Sequence, residues 1–259
     1  MLLYLGAAGK DLGPQEVARG TGLHASTAYR LLVALARHQF VQLGATPGRY
    51  RLGLRLAELG HAAIALLELP SKARPVLEQV GAETRETVHL MVLDGDTGIY
   101  VDRVESSQRI RVASSLGERE SLHGSAVGKA ILAYLPAEAF ARITARGFER
   151  RTPRTIVDPE ALKAHLRGVV VRGFAIDNEE VEPGVRCVGA PILDHRGQAI
   201  ASISVAGPAH RLPIARLIEW GPRVRQAALS ISAALGFGTL GAKARLQAAY
   251  RETGRRPGS

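Results

Sequence analysis

The sequence predicts an α+β protein with two domains: an N-terminal winged helix-turn-helix and a larger domain with a mainly antiparallel sheet, joined by a linker helix. Three observations support this prediction. Residues 1–52 follow the order helix, turn, helix, hairpin. Residues 53–70 form an unusually apolar helical stretch. Residues 71–236 then alternate strand-rich blocks with helices, and a tail follows at 237–259.

The N-terminal domain begins with two helices that flank a glycine-containing turn. Pro14 suits the first turn of a helix, where its missing N–H is no loss, and Gly20–Gly22 ends that helix. Ser26 and Thr27 are expected to cap the next helix with their hydroxyl groups. The apolar face of this second helix consists of Ala28, Leu31, Leu32 and Leu35. The helix before them, within residues 1–8, is short, which fits either a truncated chain or a natively short helix.

A β-hairpin is predicted directly after the second helix. Residues 40–43 and 49–52 have strand character, and residues 44–48 supply the loop between them. A hairpin in this position is the wing of a winged helix-turn-helix. Arg49 and Arg51 alternate with apolar residues, so both cations are expected on one face of the wing.

Positive charge is concentrated at the two ends of this 259-residue chain, whose formal net charge is +10. Residues 1–55 carry a net charge of +5 and residues 236–259 a net charge of +4, so the middle is nearly neutral. A basic end on a near-neutral body indicates a module that binds a polyanion such as DNA. The residues expected to contact DNA are Ser26, Thr27, Tyr29, Arg30, Arg37, Arg49 and Arg51.

Composition also indicates the cellular compartment of the protein. No apolar run approaches the roughly 20 residues of a membrane span, and the N-terminal segment lacks the charged leader of a signal peptide. The single cysteine excludes an intrachain disulfide and suits a reducing compartment. We therefore expect a cytoplasmic protein that does not contact a membrane.

The linker helix is apolar on most of its sides. One domain cannot bury such a helix alone, so a partner subunit is expected to cover part of it, which predicts a homodimer. Pro70 is expected to end the linker helix. The tail at 237–259 contains glycine, arginine and proline and is expected to be flexible.

The second domain is predicted to combine helices with a sheet that supports a loop-covered pocket, the shape of a small-molecule sensor. The predicted helices are 72–85, 126–135, 159–172 and 214–235. The predicted strands are 87–93, 98–104, 110–113, 174–178, 185–193 and 199–206.

Four segments are similar to those of IclR-type transcriptional regulators. The resemblance rests, in the first domain, on TGLHASTAYRLLVAL and GRYRLGLRLAELG, and in the second on LHGSAVGKAILAYLP and RGFAIDNEEVEPGVRCVGAPILDHRGQAIASISVAGP. It implies a linker helix, a C-terminal GAF-like effector domain, and dimers, often paired into tetramers, that bind palindromic double-stranded DNA operators. It also implies a small organic acid as effector. We expect no cofactor.

The predicted effector site combines a helix start with polar groups on three strands. Free N–H groups where the 126–135 helix begins favour a carboxylate. The resemblance places Asp177, Cys187 and Ser204 at positions that line the effector site in the family. Without the resemblance, the sequence favours a buried small residue at Cys187, and Asp177 fits a turn or cap residue as well as a binding role. The expected effector-binding residues are Val112, Leu122, Ser125, Ala126, Val127, Asp177, Cys187 and Ser204.

Some side chains of this sequence could instead indicate a metal site or a catalytic site. The side chains that could suggest a metal site or a Cys-His nucleophile pair are His89, His123, Cys187 and His195, and they lack the usual metal-ligand spacing. We therefore expect no catalytic site and no metal. The acidic segment 179–182 is expected to be a solvated rim. Two alternatives stay open: a small-molecule or metal sensor whose DNA binding is weakened by the short first helix, and a redox switch at Cys187.

Overall fold

The computed structural model describes residues 1–65 and 68–238. The chain divides into an N-terminal unit, Met1–Leu67, and a C-terminal unit that begins at Glu68. Nearly all of the predicted tail, residues 239–259, lies outside the described residues. Within the part that is described, no helix is both long and apolar enough to cross a membrane.

The N-terminal unit is a winged helix-turn-helix, as predicted. Its elements are α1 (Leu2–Ala8), α2 (Pro14–Thr21), α3 (Ala25–Arg37), β1 (Val41–Leu43), β2 (Tyr50–Leu52) and α4 (Arg55–Ala65). The wing strands β1 and β2 are antiparallel, with Val41 opposite Leu52. Two further main-chain hydrogen bonds, each 2.9 Å long, join Leu12 to Tyr50 and attach the segment before α2 to the wing.

A small apolar core holds this unit together, and even the short α1 contributes to it. The buried side chains are Leu5, Leu12, Val17, Leu32, Val41 and Tyr50. Gly22 ends α2 in the left-handed conformation, with a φ of 68°, which a glycine adopts without steric cost. The tight turn between α2 and α3 therefore follows from the glycine that the sequence places there.

Two expectations about α3 are wrong in detail. The helix begins at Ala25 with His24 as its N-cap, so Ser26 and Thr27 lie within the first turn instead of capping it. The Ser26 hydroxyl oxygen lies 2.9 Å from Nδ1 of His24. Leu31 is 43% exposed because the small core covers only the centre of the apolar stripe and leaves its edge in solvent.

The predicted linker region is helical but differs in its boundary. Residues Glu68–Thr84 are helical, so Pro70 lies among helical residues and does not end a helix there. Residues 66 and 67 lie outside the described residues. Leu54 and Leu59 are 76% and 46% exposed in the single chain. Their exposure leaves apolar surface for the predicted partner subunit.

The C-terminal unit contains one six-stranded sheet and five helices among the described residues, which confirms the α+β fold. Its elements are α5 (Glu68–Thr84), β3 (Thr87–Asp94), β4 (Thr97–Val104), β5 (Arg119–Glu120), α6 (Ala126–Leu132), α7 (Ala137–Thr144), α8 (Pro159–Arg172), β6 (Ala175–Asn178), β7 (Val185–Leu193), β8 (Ala199–Pro208) and α9 (Ile214–Ala234). The strand order is β5-β4-β3-β8-β7-β6. Every neighbouring pair is antiparallel.

Two predicted elements of this unit are wrong. Residues 110–113 are not a strand, and β5 provides the edge instead. The carbonyl of Val112 accepts a hydrogen bond from the Thr87 hydroxyl at 3.2 Å, a side-chain contact that does not continue a strand ladder. The single helix predicted over 126–135 ends at Leu132, and Pro136 then caps α7, which the sequence analysis did not predict.

The two faces of the sheet carry different layers. On one face, α5 and α9 pack against the main core, whose largest members include Leu77, Leu90, Ile192, Ile203, Val205 and Trp220. On the other face, α6 crosses the sheet directly. The Ser202 hydroxyl donates to the carbonyl of Val127 at 2.9 Å. A Cβ at Gly189 would lie 3.1 Å from the carbonyl carbon of Ala126, so a glycine lets the helix approach this closely.

Arg49 attaches the wing to α2 and is therefore not equivalent to Arg51. Its guanidinium donates to the carbonyl of Asp11 at 2.6 Å and lies 3.0 Å from Oε2 of Glu16. The same carboxylate accepts from the N–H of Gly13 at 2.8 Å, which lowers the pKa of Glu16. Arg51 is exposed and forms no ion pair within residues 1–65. Arg49 is thus engaged within the domain, whereas Arg51 is exposed to solvent.

Replacing Arg49 with alanine should loosen the wing. The loss of the bond to Asp11, next to the Leu12–Tyr50 bridge, costs about 1 kcal/mol, which corresponds to about fivefold faster exchange of the Leu12 and Tyr50 amides. Hydrogen exchange followed by NMR measures this directly. Arg51→Ala is the matched control and should leave these two amides unchanged. Equal exchange in both variants would show that Arg49 does not stabilise the wing.

Candidate functional site

The exposed side of α3 carries the polar residues that the sequence analysis assigned to DNA. At about 100° per residue, Ser26, Arg30 and Arg37 fall on one side of the helix, and all three are exposed. Thr27 is exposed beside them, and Tyr29 is 53% exposed on the flank. The opposite side is anchored by Leu32, which is fully buried. Helix α3 is therefore held by its apolar side and presents a basic side to solvent.

Cross-strand register places the predicted sensor residues on one face of the sheet. Asp177 on β6 lies opposite Cys187 on β7, and Ser204 on β8 lies opposite Gly189 on β7. Residues directly opposite each other, and residues two apart on one strand, project to the same face. Asp177, Cys187 and Ser204 therefore share one face. Because α6 packs on Gly189, this is the face that α6 crosses.

The start of α6 is buried against the sheet. Ser125 is its N-cap, and the Ser125 hydroxyl oxygen accepts a hydrogen bond from the N–H of Gly128 at 3.1 Å. Ala126 and Val127 are 0% and 2% exposed. The first N–H groups of a helix have no partner within the helix, so this end carries partial positive charge next to the polar face of the sheet.

The main chain of Leu122 lies against the first turn of α6, while Val112 lies at one end of β3. Leu122 is buried in a second core cluster, together with residues of α6 and α8 that include Ala130, Leu162 and Val169. Val112 is half-buried, and its carbonyl binds the hydroxyl of Thr87 at one end of β3. The structure thus groups the polar residues with the start of α6 and gives Leu122 a role in packing.

Burial sets the protonation of the two titratable groups in the site. Asp177 is 2% exposed, and burial raises the pKa of its carboxyl to about 7, although the N–H of Glu180 donates to Oδ1 at 2.7 Å and opposes the shift. Burial and the neighbouring Asp177 carboxyl raise the pKa of the Cys187 thiol. A protonated thiol is a poor nucleophile, which disfavours a redox role for Cys187.

A buried ion pair, which the sequence analysis did not identify, lies beside this site. Lys129 on α6 is completely buried, and its Nζ lies 2.5 Å from Oε1 of Glu180. Burial lowers the pKa of Lys129, and the Glu180 carboxylate opposes that shift. The expectation that Glu180 belongs to a solvated rim is therefore wrong. A single lysine in a helix of small and apolar residues was the available signal.

The turn from β6 into residues 179–184 explains the burial of Glu180. The Thr155 hydroxyl donates to the carbonyl of Glu180 at 2.6 Å. Glu179 instead pairs with Arg186 at 2.8 Å and accepts from the N–H of Gly184 at 3.0 Å. These contacts draw residue 180 inward and leave its neighbour at the surface.

His89 also differs from expectation. It was expected to be a strand residue whose ring nitrogens are satisfied by neighbours, yet its buried Nε2 has no hydrogen-bond partner in the described part of the chain. Its ring packs on Tyr100 with a centroid distance of 5.1 Å. Burial, with a contribution from Arg103, lowers the pKa of His89 to about 4. Among the described residues no group of three or more His, Cys, Asp or Glu side chains is arranged to hold a metal.

Asp177→Asn should remove a pH dependence from the unfolding of the sensor domain. An acid whose folded pKa is raised stabilises the fold fully below its unfolded pKa of 3.8, and this stability is lost as pH rises through about 7. Asparagine keeps the acceptor oxygen for the Glu180 N–H but does not ionise.

Between about pH 5 and about pH 8, wild type should therefore lose about 2–3 kcal/mol of unfolding free energy relative to the variant. Urea unfolding followed by the fluorescence of Trp220, which lies in α9, reports the difference. Parallel pH profiles for the two proteins would contradict the shifted Asp177 pKa.

Both parts of the chain match models of one family. Residues 1–43 match the IclR helix-turn-helix domain, and residues 61–233 match the bacterial transcriptional regulator IclR C-terminal domain. The HTH-type transcriptional regulator XynR of Escherichia coli K12 is 34% identical over 228 residues, which cover 88% of this chain and 90% of XynR. The regulator KdgR of the same strain is 33% identical over 229 residues, covering 88% of this chain and 87% of KdgR.

Solved structures agree with this assignment. The Thermotoga maritima IclR has a TM-score of 0.71 and 35% identity, covering 88% of this chain and 92% of that one. An IclR homologue from Microbacterium hydrocarbonoxydans in complex with 4-hydroxybenzoate has a TM-score of 0.74 and 26% identity, covering 87% and 91%. With its winged helix-turn-helix and its α+β sensor domain, this chain belongs to the IclR family of helix-turn-helix transcriptional regulators.

Proposed function

We propose that this protein binds a double-stranded DNA operator and changes its affinity for that operator when a small organic acid binds its sensor domain. It thereby controls transcription of a metabolic operon in the cytoplasm and carries out no catalysis. The observation that supports the proposal most directly is the convergence of Asp177, Cys187 and Ser204 with the start of α6 on one sheet face.

DNA recognition is assigned to α3 and the wing. Arg30 would contact base edges in the major groove, while Ser26 and Thr27 bind backbone phosphates. Arg37 and Arg51 are exposed cations that would bind phosphates at the edges of this surface. Arg49, already bound to Asp11 and Glu16, would position the wing for this contact.

A palindromic operator requires a protein with matching two-fold symmetry. The exposed Leu54 and Leu59 near and within α4 provide apolar surface for a second copy of the chain. We propose a homodimer, or a pair of dimers, with one winged domain on each half-site.

The sensor site is suited to a carboxylate. The start of α6 offers main-chain N–H groups and partial positive charge. Asp177 on the same face would repel an anion if it were ionised, but its pKa of about 7 keeps a large fraction protonated near neutral pH. A protonated Asp177 can donate a hydrogen bond to the ligand. The solved relative in complex with 4-hydroxybenzoate supports a ligand of this chemical class.

Effector binding and DNA binding would be coupled through two arrangements of the dimer. An effector can change operator affinity only by its own difference in affinity for those two arrangements. A change of tenfold to a hundredfold in operator affinity requires a coupling free energy of about 1.4–2.8 kcal/mol.

A second candidate is a small-molecule sensor with weakened DNA binding, which the seven-residue length of α1 favours. Against it, Leu5 of α1 is 4% exposed and completes the core of the winged domain. An electrophoretic shift of DNA fragments from upstream of the protein's own gene distinguishes the two functions, since only the regulator should bind such a fragment with sequence specificity.

Arg30→Ala should weaken specific operator binding and relax base preference. A bidentate contact between arginine and guanine contributes about 1–3 kcal/mol of discrimination, so specific affinity should fall roughly tenfold or more. Titrations with the operator and a scrambled sequence measure both quantities. Arg167→Ala, an exposed arginine on α8, removes the same charge outside the winged domain and is the control. Unchanged selectivity in the Arg30 variant would place the reading surface elsewhere.

Ser204→Ala should weaken effector binding without changing operator binding in the absence of effector. Calorimetry with a panel of small organic acids identifies a ligand for wild type, and loss of one hydrogen bond to it should raise Kd by about fivefold to tenfold. The operator shift is then repeated with and without that acid. A variant with wild-type effector affinity would remove this sheet face from the site. Failure of every acid to bind wild type would contradict the proposed effector class.

A further inference from the structure

We infer that His89 is a specificity-determining residue of the sensor site and selects carboxylic acids that carry a second, uncharged hydrogen-bonding group such as a hydroxyl or an oxo group. The inference rests on the proposed function, because it assumes that the face crossed by α6 binds the effector. The end of the effector that lies away from α6 must then carry an uncharged hydrogen-bonding group.

The first support is position. His89 on β3 lies directly opposite Ser204 on β8, and Ser204 lies opposite Gly189 on β7, so the three residues form one row across the same sheet face. The start of α6 stands over Gly189. His89 is two strands further along the row, at a backbone separation of about 10 Å. A small acid held at α6 would therefore extend across Ser204 toward His89.

The second support is an unmade hydrogen bond. His89 is 3% exposed, and its Nε2 has no partner in the described part of the chain. The other deeply buried histidine, His123, is also 3% exposed, but its Nε2 lies 3.0 Å from the carbonyl of Glu149. A buried polar atom without a partner destabilises a fold unless a ligand or a water satisfies it. His165 on α8 also has a buried Nε2 without a partner among the described residues, but of the two only His89 lies in the sheet row of the candidate site. We therefore assign the partner of His89 to the ligand.

The charge state of this end of the site determines the kind of group that it accepts. Burial and Arg103 hold the pKa of His89 at about 4, so the imidazole is neutral at physiological pH and has one donor and one acceptor nitrogen. Tyr100 packs on the ring, and burial together with Glu120 raises the pKa of its hydroxyl, which stays protonated. The Arg103 guanidinium, opposite His89 on β4, lies 2.8 Å from the Glu105 carboxylate and is already paired. The neutral groups of His89 and Tyr100 therefore favour a hydroxyl or carbonyl over a second carboxylate.

The test compares matched acids that differ by one hydroxyl. Benzoate and 4-hydroxybenzoate form one pair, and propionate and lactate form the other. Wild type should bind the hydroxylated member of at least one pair about tenfold more tightly, since one hydrogen bond to a buried group is worth about that factor. Succinate, which adds a second carboxylate, should bind no better than propionate. Calorimetry gives the dissociation constants.

His89→Leu should reduce the tenfold preference to less than about twofold while leaving the affinity for the unsubstituted acid nearly unchanged. His89→Gln retains a donor and an acceptor and should restore most of the preference. Thermal unfolding without any acid separates a ligand-facing role from a structural one. His89→Leu should have a Tm equal to or above that of wild type, because it removes an unsatisfied group. His123→Leu, the matched control, should have a lower Tm because it loses the bond to Glu149.

The outcomes distinguish this inference from the proposed function. Acids that bind wild type and His89→Leu with the same preference, or a His89→Leu protein that unfolds at clearly lower temperature, would overturn the role of His89 and leave the acid-responsive regulator standing. If no acid in either pair binds wild type, the organic acid effector is itself wrong, and the role of His89 falls with it.

Discussion

The sensor domain depends on the close approach of α6 to one face of its sheet. Gly189 makes this approach possible, because a side chain there would meet the main chain of Ala126. Gly128 lets residues 121 and 122 pack against the helix, since a Cβ at Gly128 would lie 2.6 Å from the Cα of Leu122. The Ser202 hydroxyl then fixes the helix to the sheet through the carbonyl of Val127. Because the helix start is pressed onto the sheet, its dipole and N–H groups act at the polar residues of that face.

The buried charges of Lys129 and Glu180 follow from the same packing of α6 on the sheet. Lys129 has no route to solvent once α6 is pressed down, so it requires the carboxylate of Glu180 as a partner. The N–H of Glu180 in turn donates to Asp177. The ion pair therefore fixes the turn after β6 and, through it, the carboxyl group that faces the candidate site. Removing one partner alone would leave a buried charge unpaired, which is why the pair is expected to act as a unit.

The winged domain is stabilised differently from the sensor domain, because its apolar core is too small to cover every apolar residue. It relies on polar connections such as the contacts of Arg49 with Asp11 and Glu16. This use of one arginine for structure leaves Arg30, Arg37 and Arg51 as the exposed cations of α3 and the wing. Of the two arginines on this hairpin, Arg49 makes contacts within the domain and Arg51 is exposed to solvent.

The sequence by itself determined most of the order of elements, the hairpins, the family and most of the polar residues of the candidate site. These properties depend on local patterns: helical periodicity around Leu32, glycine at the end of α2, and alternation along the strands. Tertiary structure decided which groups are buried and paired. Glu180 meets Lys129 across 51 residues of chain, and Arg49 meets Asp11 across 38. The unpaired state of His89 is likewise visible only in the fold, because contacts between distant segments decide whether a buried polar atom has a partner.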